Sequence, residues 1–163
     1  MGLGHPYDGY VLRTYGTVGG ETISWNNDPI YIALVLPTYT QDHVNDVHWS
    51  DVVANEFSGG GYTAGGIHLT TVAPYIDSTT WTPFEYCILT ANAASTPAYS
   101  ATWLNMTFST PPQAVVYKKG STAAVSPLIT CLDLSTGAQT ANADKYIVQF
   151  DVTSGIIKSL VLP

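Results

Sequence analysis

The run Ile30-Tyr31-Ile32-Ala33-Leu34-Val35-Leu36 is the stretch of sequence that decides the fold class. It is apolar at both odd and even positions, and Pro37 ends it. A strand with this pattern is covered on both of its faces, so we predict that it is a central strand of a sheet. A bilayer span takes about 20 apolar residues, and this run is the longest in the chain, so we expect no membrane partner.

Short β-branched and aromatic runs recur on both sides of the central run, and many are separated by turns that contain glycine. This spacing favours an antiparallel β-sandwich or barrel-like domain over a parallel sheet with crossover helices. The other predicted strands cover residues 66–73, 84–91, 101–108, 114–118, 128–134, 146–152 and 156–161. The last two flank Thr153-Ser154-Gly155 and are predicted to form a C-terminal hairpin.

One segment, residues 49–56, has the pattern of a helix of one or two turns. It begins at Trp49 and carries Ser50 and Asp51, either of which can act as the N-cap. Acidic residues in a first turn also suit the helix dipole. The predicted fold is therefore all-β with one short helix.

The first 29 residues are rich in glycine, and we predict that they form an extended N-terminal arm with one possible strand at 10–15. Residues 30–163 are predicted to be a single β domain. The arm has few adjacent apolar residues to offset the cost of ordering it, about 1–2 kcal/mol per residue. We therefore expect its apolar residues to make their contacts with another chain. These predicted assembly contacts are Leu3, Tyr7, Tyr10 and Leu12.

Charge is scarce and negative along the whole chain. Charged residues make up 10% of the sequence, against about 25% in an average domain, and the formal net charge is −7. No Lys or Arg lies between Arg13 and Lys118. Because binding to a phosphate backbone depends on clustered cations, we expect no nucleic-acid partner.

The densest group of polar residues is the acidic loop, which we define as residues 42–51. It contains Asp42, Asp46 and Asp51 together with His43 and His48. Such side chains can bind calcium or a transition metal, but the loop has neither the HExxH spacing nor the order of acids of an EF-hand. A surface loop that leads into a helix cap is the favoured interpretation, and a metal site stays the alternative.

A glycine turn, defined as residues 59–66, has the sequence Gly-Gly-Gly-Tyr-Thr-Ala-Gly-Gly. It is not a phosphate-binding loop, because Ile67 follows where a lysine is needed and a strand follows where a helix is needed. We predict a positive φ for at least one of Gly61, Gly65 and Gly66, and we expect Tyr62 to be mostly buried and to hold the turn against the core. No cofactor is expected here.

Catalytic motifs are not recognisable, so we expect no enzyme. Ser58 lacks the glycine two positions before it that a nucleophile elbow requires. Aromatic residues allow a different function, because their rings stack on sugars. Trp49 and Trp103 are predicted to be core residues, which leaves Trp81 as the candidate for a glycan-binding position.

Two cysteines, Cys87 and Cys131, lie far apart in apolar segments. Buried free thiols are the favoured interpretation, and a disulfide between them stays open. Two isolated sulfur ligands do not make a tetrahedral metal site.

Residues 48–66, HWSDVVANEFSGGGYTAGG, resemble a pattern found in small virion-associated proteins of tailed bacteriophages. In that pattern a buried strand, here residues 28–35, leads through a loop to the two turns "W-S-D-V-x-A-N-E" and "G-Y-T-A-G-G". The order of the later strands is similar as well, and the resemblance extends over residues 25–162. Its motif residues are Trp49, Asp51, Glu56, Gly61, Tyr62, Gly65 and Gly66.

The resemblance implies a non-enzymatic structural component of the virion. We expect a capsid decoration or cement protein. The alternative positions in the virion are those of a head-fibre protein or a tail accessory protein. It further implies synthesis in the host cytoplasm and a location on the particle surface. The implied partners are other copies of the chain, by analogy in a trimer, and the major capsid or tail proteins. A carbohydrate-binding β-sandwich module is the alternative function, with a glycan as its ligand.

Overall fold

The fold was obtained as a computed structural model, which describes residues 4–6, 23, 27–69, 72–75, 88–91, 100–134, 140–150 and 157–162. One α-helix, α1 (Trp49–Val52), runs directly into a 3-10 helix (Val53–Asn55), and a second 3-10 helix covers Ala123–Val125. The strands are β1 (Gly4–Pro6), β2 (Ile30–Val35), β3 (Ile67–His68), β4 (Val72–Tyr75), β5 (Ile88–Ala91), β6 (Ser100–Phe108), β7 (Gln113–Lys118), β8 (Leu128–Leu132), β9 (Ala141–Phe150) and β10 (Ile157–Leu162).

β2 lies inside a five-stranded sheet in the order β1-β8-β7-β2-β3. All of its strand pairs are antiparallel, and Ile32 lies opposite Val116 of β7. A three-stranded sheet has the order β10-β9-β6, and β4 pairs with β5. The prediction of an all-β antiparallel fold with one short helix is confirmed.

The main core lies between the five-stranded sheet and the three-stranded sheet. Ile30, Ile32 and Leu34 point from β2 into a cluster that also contains Trp103 of β6 and Tyr146 of β9. All five side chains are at most 2% exposed. The two sheets therefore pack face to face, as the sandwich prediction requires.

The opposite face of the five-stranded sheet is covered by α1 and by the loop that precedes it. Ala33 and Val35 of β2 pack there against Trp49 and Val52 of α1 and against Tyr117 of β7. The Trp49 and Tyr117 rings stack with their centroids 4.7 Å apart and their planes 7° from parallel. The central strand is thus buried on both sides, which is why it is apolar at every position.

The helix starts differently from its prediction. Its N-cap is His48 rather than Ser50 or Asp51. Asp51 lies inside the first turn, and its Oδ2 accepts hydrogen bonds from the backbone N–H groups of His48 (2.8 Å) and Val47 (3.0 Å). An acidic residue at the third helical position can satisfy these donors from within the helix, in the manner of a capping box.

Three predicted strands differ from the structure, and the smallest difference is that β8 ends at Leu132 rather than at residue 134. Residues 66–73 do not form one strand, because β3 pairs with β2 whereas β4 pairs with β5. β9 begins at Ala141, ahead of the predicted start at residue 146. A bulge next to Met106 lets β6 continue its pairing along this earlier part of β9. The C-terminal hairpin of β9 and β10 is confirmed.

The arm supplies one strand that was not predicted. β1 pairs with β8 of the same chain, with His5 opposite Cys131. The predicted strand at 10–15 and the predicted assembly contacts Leu3, Tyr7, Tyr10 and Leu12 lie outside the described residues.

Candidate functional site

The motif that carries the resemblance lies along the side of β2 that faces away from β7. Two short segments pair with this side. The first is β3, and the second contains Glu56, which forms a bridge with Val35. Between them the backbone N–H of Leu34 donates to the Tyr62 hydroxyl at 3.2 Å. A side-chain oxygen thus takes the place of a strand carbonyl where the two segments leave a gap.

Glu56, Tyr62 and Gly65 form a unit that we call the edge clasp. The Tyr62 hydroxyl donates to Glu56 Oε1 at 2.7 Å, and the same oxygen accepts from the Gly65 N–H at 2.5 Å. The Tyr117 hydroxyl donates to the Gly65 carbonyl at 2.8 Å. A carboxylate acceptor strengthens such bonds, so the clasp fixes the glycine turn to the central strand.

Both tyrosine hydroxyls of this region are held in the protonated form. Burial raises the pKa of Tyr62 far above its ordinary value, and the hydrogen bond and negative charge of Glu56 raise it further. Burial also raises the pKa of Tyr117, followed by the charge of Glu56 and the neighbouring Tyr31. At neutral pH these two groups therefore act as hydrogen-bond donors rather than as bases or nucleophiles.

All three glycines singled out in the turn have a positive φ, as predicted: +80° at Gly61, +81° at Gly65 and +72° at Gly66. A Cβ atom at Gly61 would lie 1.9 Å from the Leu104 carbonyl oxygen of β6, and one at Gly66 would lie 2.0 Å from the Ile32 carbonyl oxygen of β2. The turn therefore lies against the backbones of both sheets at once. Only glycine allows so close an approach.

The Tyr62 side chain is mostly buried and packs against the main core, as predicted. Its ring packs edge-on against Phe57, with centroids 5.8 Å apart, and lies 6.3 Å from the Trp103 ring. The expected role of Tyr62 in holding the turn to the core is thus shared between its ring and its hydroxyl.

The carboxylates of the acidic loop accept hydrogen bonds from backbone and side-chain groups of the same region of the chain. Asp42 Oδ1 accepts from the N–H groups of Val44 and Asn45, and Asp46 Oδ2 accepts from the Tyr39 hydroxyl at 2.6 Å. Hydrogen bonds from the Asn45 side chain and backbone hold the pKa of Asp42 below its ordinary value. Among the residues that the structure describes, no group of three or more His, Cys, Asp or Glu is arranged to hold a metal ion.

An aromatic cluster, formed by Tyr31, His68 and Lys119, lies beside the clasp. His68 stacks on Tyr31 with centroids 5.1 Å apart and planes 19° from parallel. The Lys119 ammonium lies 4.4 Å from the centre of the Tyr31 ring. His68 and Lys119 are exposed. Sequence reasoning missed this cluster because its members are far apart in the chain. His68 reaches Tyr31 through the pairing of β3 with β2, and Lys119 follows β7, which pairs with the other side of β2.

The remaining predicted positions can be placed in part. Trp49 and Trp103 are buried core residues, as predicted. Cys131 is buried, as predicted, and its thiol donates to the Gln113 side-chain oxygen at 3.7 Å. Trp81 and Cys87 lie outside the described residues. In the described part of the chain, no helix is long and apolar enough to cross a membrane.

Comparison of the chain with models of protein families, with curated proteins and with solved structures gave no significant match.

Proposed function

We propose that the protein is a non-enzymatic structural component of a bacteriophage virion, most specifically a capsid decoration or cement protein. The observation that carries the proposal concerns the motif that resembles such proteins. Its polar groups, Glu56, Tyr62 and Asp51, bind backbone groups of their own chain. These polar groups are used to stabilise the fold rather than to bind a substrate. This use suits a structural protein.

The charge of the chain supports the same proposal. A net charge of −7 disfavours contact with packaged DNA, and the low charged fraction of 10% suits surfaces at which copies meet. In this proposal the protein lies on the particle surface after synthesis in the host cytoplasm. Its partners are other copies of itself, in a closed oligomer such as a trimer, and the major capsid or tail proteins.

Quantitative mass spectrometry of purified particles tests the proposal. A decoration protein is expected in tens to hundreds of copies per particle, whereas a tail-tip protein is expected in a few. Absence of the chain from washed particles would reject the proposal. Adjacent capsid, portal or tail genes in the genome are the independent genetic check.

Recognition of a glycan is the second candidate function, and the aromatic cluster favours it. Exposed rings stack on the apolar faces of sugars, and Lys119 is placed to interact with a carboxylate on an acidic sugar. A glycan array of the purified protein tests this candidate. Binding that is lost in His68→Ala or Trp81→Ala, and kept in Val44→Ala on the exposed acidic loop, would support it.

A further inference from the structure

The outer edge of β8 is covered by two separate segments of the chain. At one end His48 forms a bridge with Pro127, and the Leu128 N–H donates to the Val47 carbonyl at 3.0 Å. At the other end β1 covers the edge from Thr130 to Leu132. β1 has only three residues, and Pro6 has no N–H to donate, so few hydrogen bonds hold it there.

The connection between β1 and β2 has many more residues than are needed to span the distance between the two strands. Three strand spacings separate the two strands in the sheet order β1-β8-β7-β2, a distance of roughly 14 Å. Residues 7–29 connect them, and 23 residues reach as far as about 75 Å when extended. Chain length therefore does not restrict β1 to the β8 edge of its own chain.

We propose that β1 is exchanged between copies, so that Gly4–Pro6 of one copy pairs with the edge of β8 in a second copy. The register is the one seen within the chain, with His5 opposite Cys131. The second copy is the occupant that fits, because its β1 is identical to the segment already seated there. The exchange adds a means of assembly to the proposed function. It rests on that function because copies on a particle surface lie close together.

The balance between the two arrangements depends on concentration. Pairing within and between chains forms the same hydrogen bonds, so the two differ mainly in the entropy of closing a loop and of joining two molecules. A flexible linker gives its ends an effective concentration on the order of 1 mM or below, and this value falls as the linker becomes longer. Copies held side by side on a particle reach such local concentrations, whereas dilute protein does not.

Disulfide trapping with separated donor and acceptor chains tests the exchange. The donor chain carries His5→Cys, Cys131→Ser and Cys87→Ser. The acceptor chain keeps His5 and Cys131 and carries Cys87→Ser and an affinity tag of different mass. Residues directly opposite each other on paired strands have neighbouring Cβ atoms, so a disulfide between these two chains requires β1 to cross between them.

The expected result is a mixed disulfide dimer that rises from traces at about 10 µM protein to a large fraction at about 1 mM. An acceptor with Cys131→Ser is the matched control. A mixed dimer no more abundant than in this control would overturn the proposal. So would failure of a single chain with His5→Cys and Cys131 to form this disulfide either internally or with a second copy, because β1 would then not lie on any β8.

A second measurement needs no added cysteine. Analytical ultracentrifugation of the Cys87→Ser protein under reducing conditions should show association at about 1 mM that is lost when residues 1–6 are deleted. Association that persists without these residues would count against β1 as the exchanged strand. Both measurements use purified protein, so they can fail while particle analysis still supports the virion assignment, and the reverse is also possible.

Discussion

At the scale of one residue, the Tyr62 hydroxyl takes the place of a neighbouring strand, because it accepts the hydrogen bond of a backbone N–H of the central strand. Tyr62→Phe keeps the ring in place and leaves the Leu34 N–H and Glu56 each short of one partner. We expect a loss of about 1–3 kcal/mol in the free energy of unfolding, measured by urea denaturation. The matched control is Tyr31→Phe, expected to stay within about 0.5 kcal/mol. Equal losses in both variants would contradict the role of the clasp.

Two glycines of the same turn separate the effect of backbone conformation from that of close approach. Both have a positive φ, but a Cβ at Gly65 would come no closer than 3.7 Å to the Tyr117 hydroxyl, whereas one at Gly66 would lie 2.0 Å from the Ile32 carbonyl oxygen. Gly65→Ala should cost about 1–2 kcal/mol for the left-handed conformation. Gly66→Ala should cost about 4 kcal/mol or more, since β2 must also move. Similar melting temperatures for the two variants would show that the turn shifts freely.

At the scale of an element, the start of α1 depends on the ionised form of Asp51. Partial burial opposes ionisation, but hydrogen bonds from His48, Val47 and Ser50 outweigh it and hold the pKa of Asp51 below its ordinary value. A lowered pKa in the folded protein contributes stability above the unfolded value, and this contribution is lost as the pH falls through the folded value.

Asp51→Ala should therefore lower the free energy of unfolding by about 1 kcal/mol at pH 7. The difference from the wild-type protein should shrink below about pH 4, where the unfolded carboxylate begins to bind its proton. Urea denaturation at pH 7 and at pH 3 measures both values. Ser50→Ala, which removes only the 3.3 Å bond to Asp51, is the control. A difference that does not depend on pH would contradict the argument.

The sequence was sufficient to predict elements whose residues follow a single hydrophobic pattern. It was not sufficient where the structure depends on pairing between segments that are far apart in the chain. The apolar run of β2 was recognisable because both faces are buried. The break between β3 and β4 was not, because it depends on their different partners. In the clasp, the glycines gave a clear signal through their number. The bond between the Tyr117 hydroxyl and Gly65 had no signal, since residues 65 and 117 are adjacent only in the folded sheet.

At the scale of the whole molecule, we predict that the β domain determines stability and that the arm determines assembly. Deleting residues 1–22 should leave a folded domain with nearly unchanged melting temperature, because β1 contributes three residues to one edge of the five-stranded sheet. The same deletion should abolish assembly onto the particle. Circular dichroism and a particle-binding assay measure the two effects. Unfolding of the truncated chain would place the arm in the core instead.

The closing of both sheet edges by short, remote segments has a consequence for the time course of folding. Pro6 pairs with Thr130, so this edge cannot close before more than a hundred intervening residues have been made and brought together. Contacts over such separations form slowly, in milliseconds to seconds. During that time the nascent chain exposes the backbone of β8, a template for aggregation. We therefore expect production of this protein at high level to be limited by the time for which the outer edge of β8 stays unpaired.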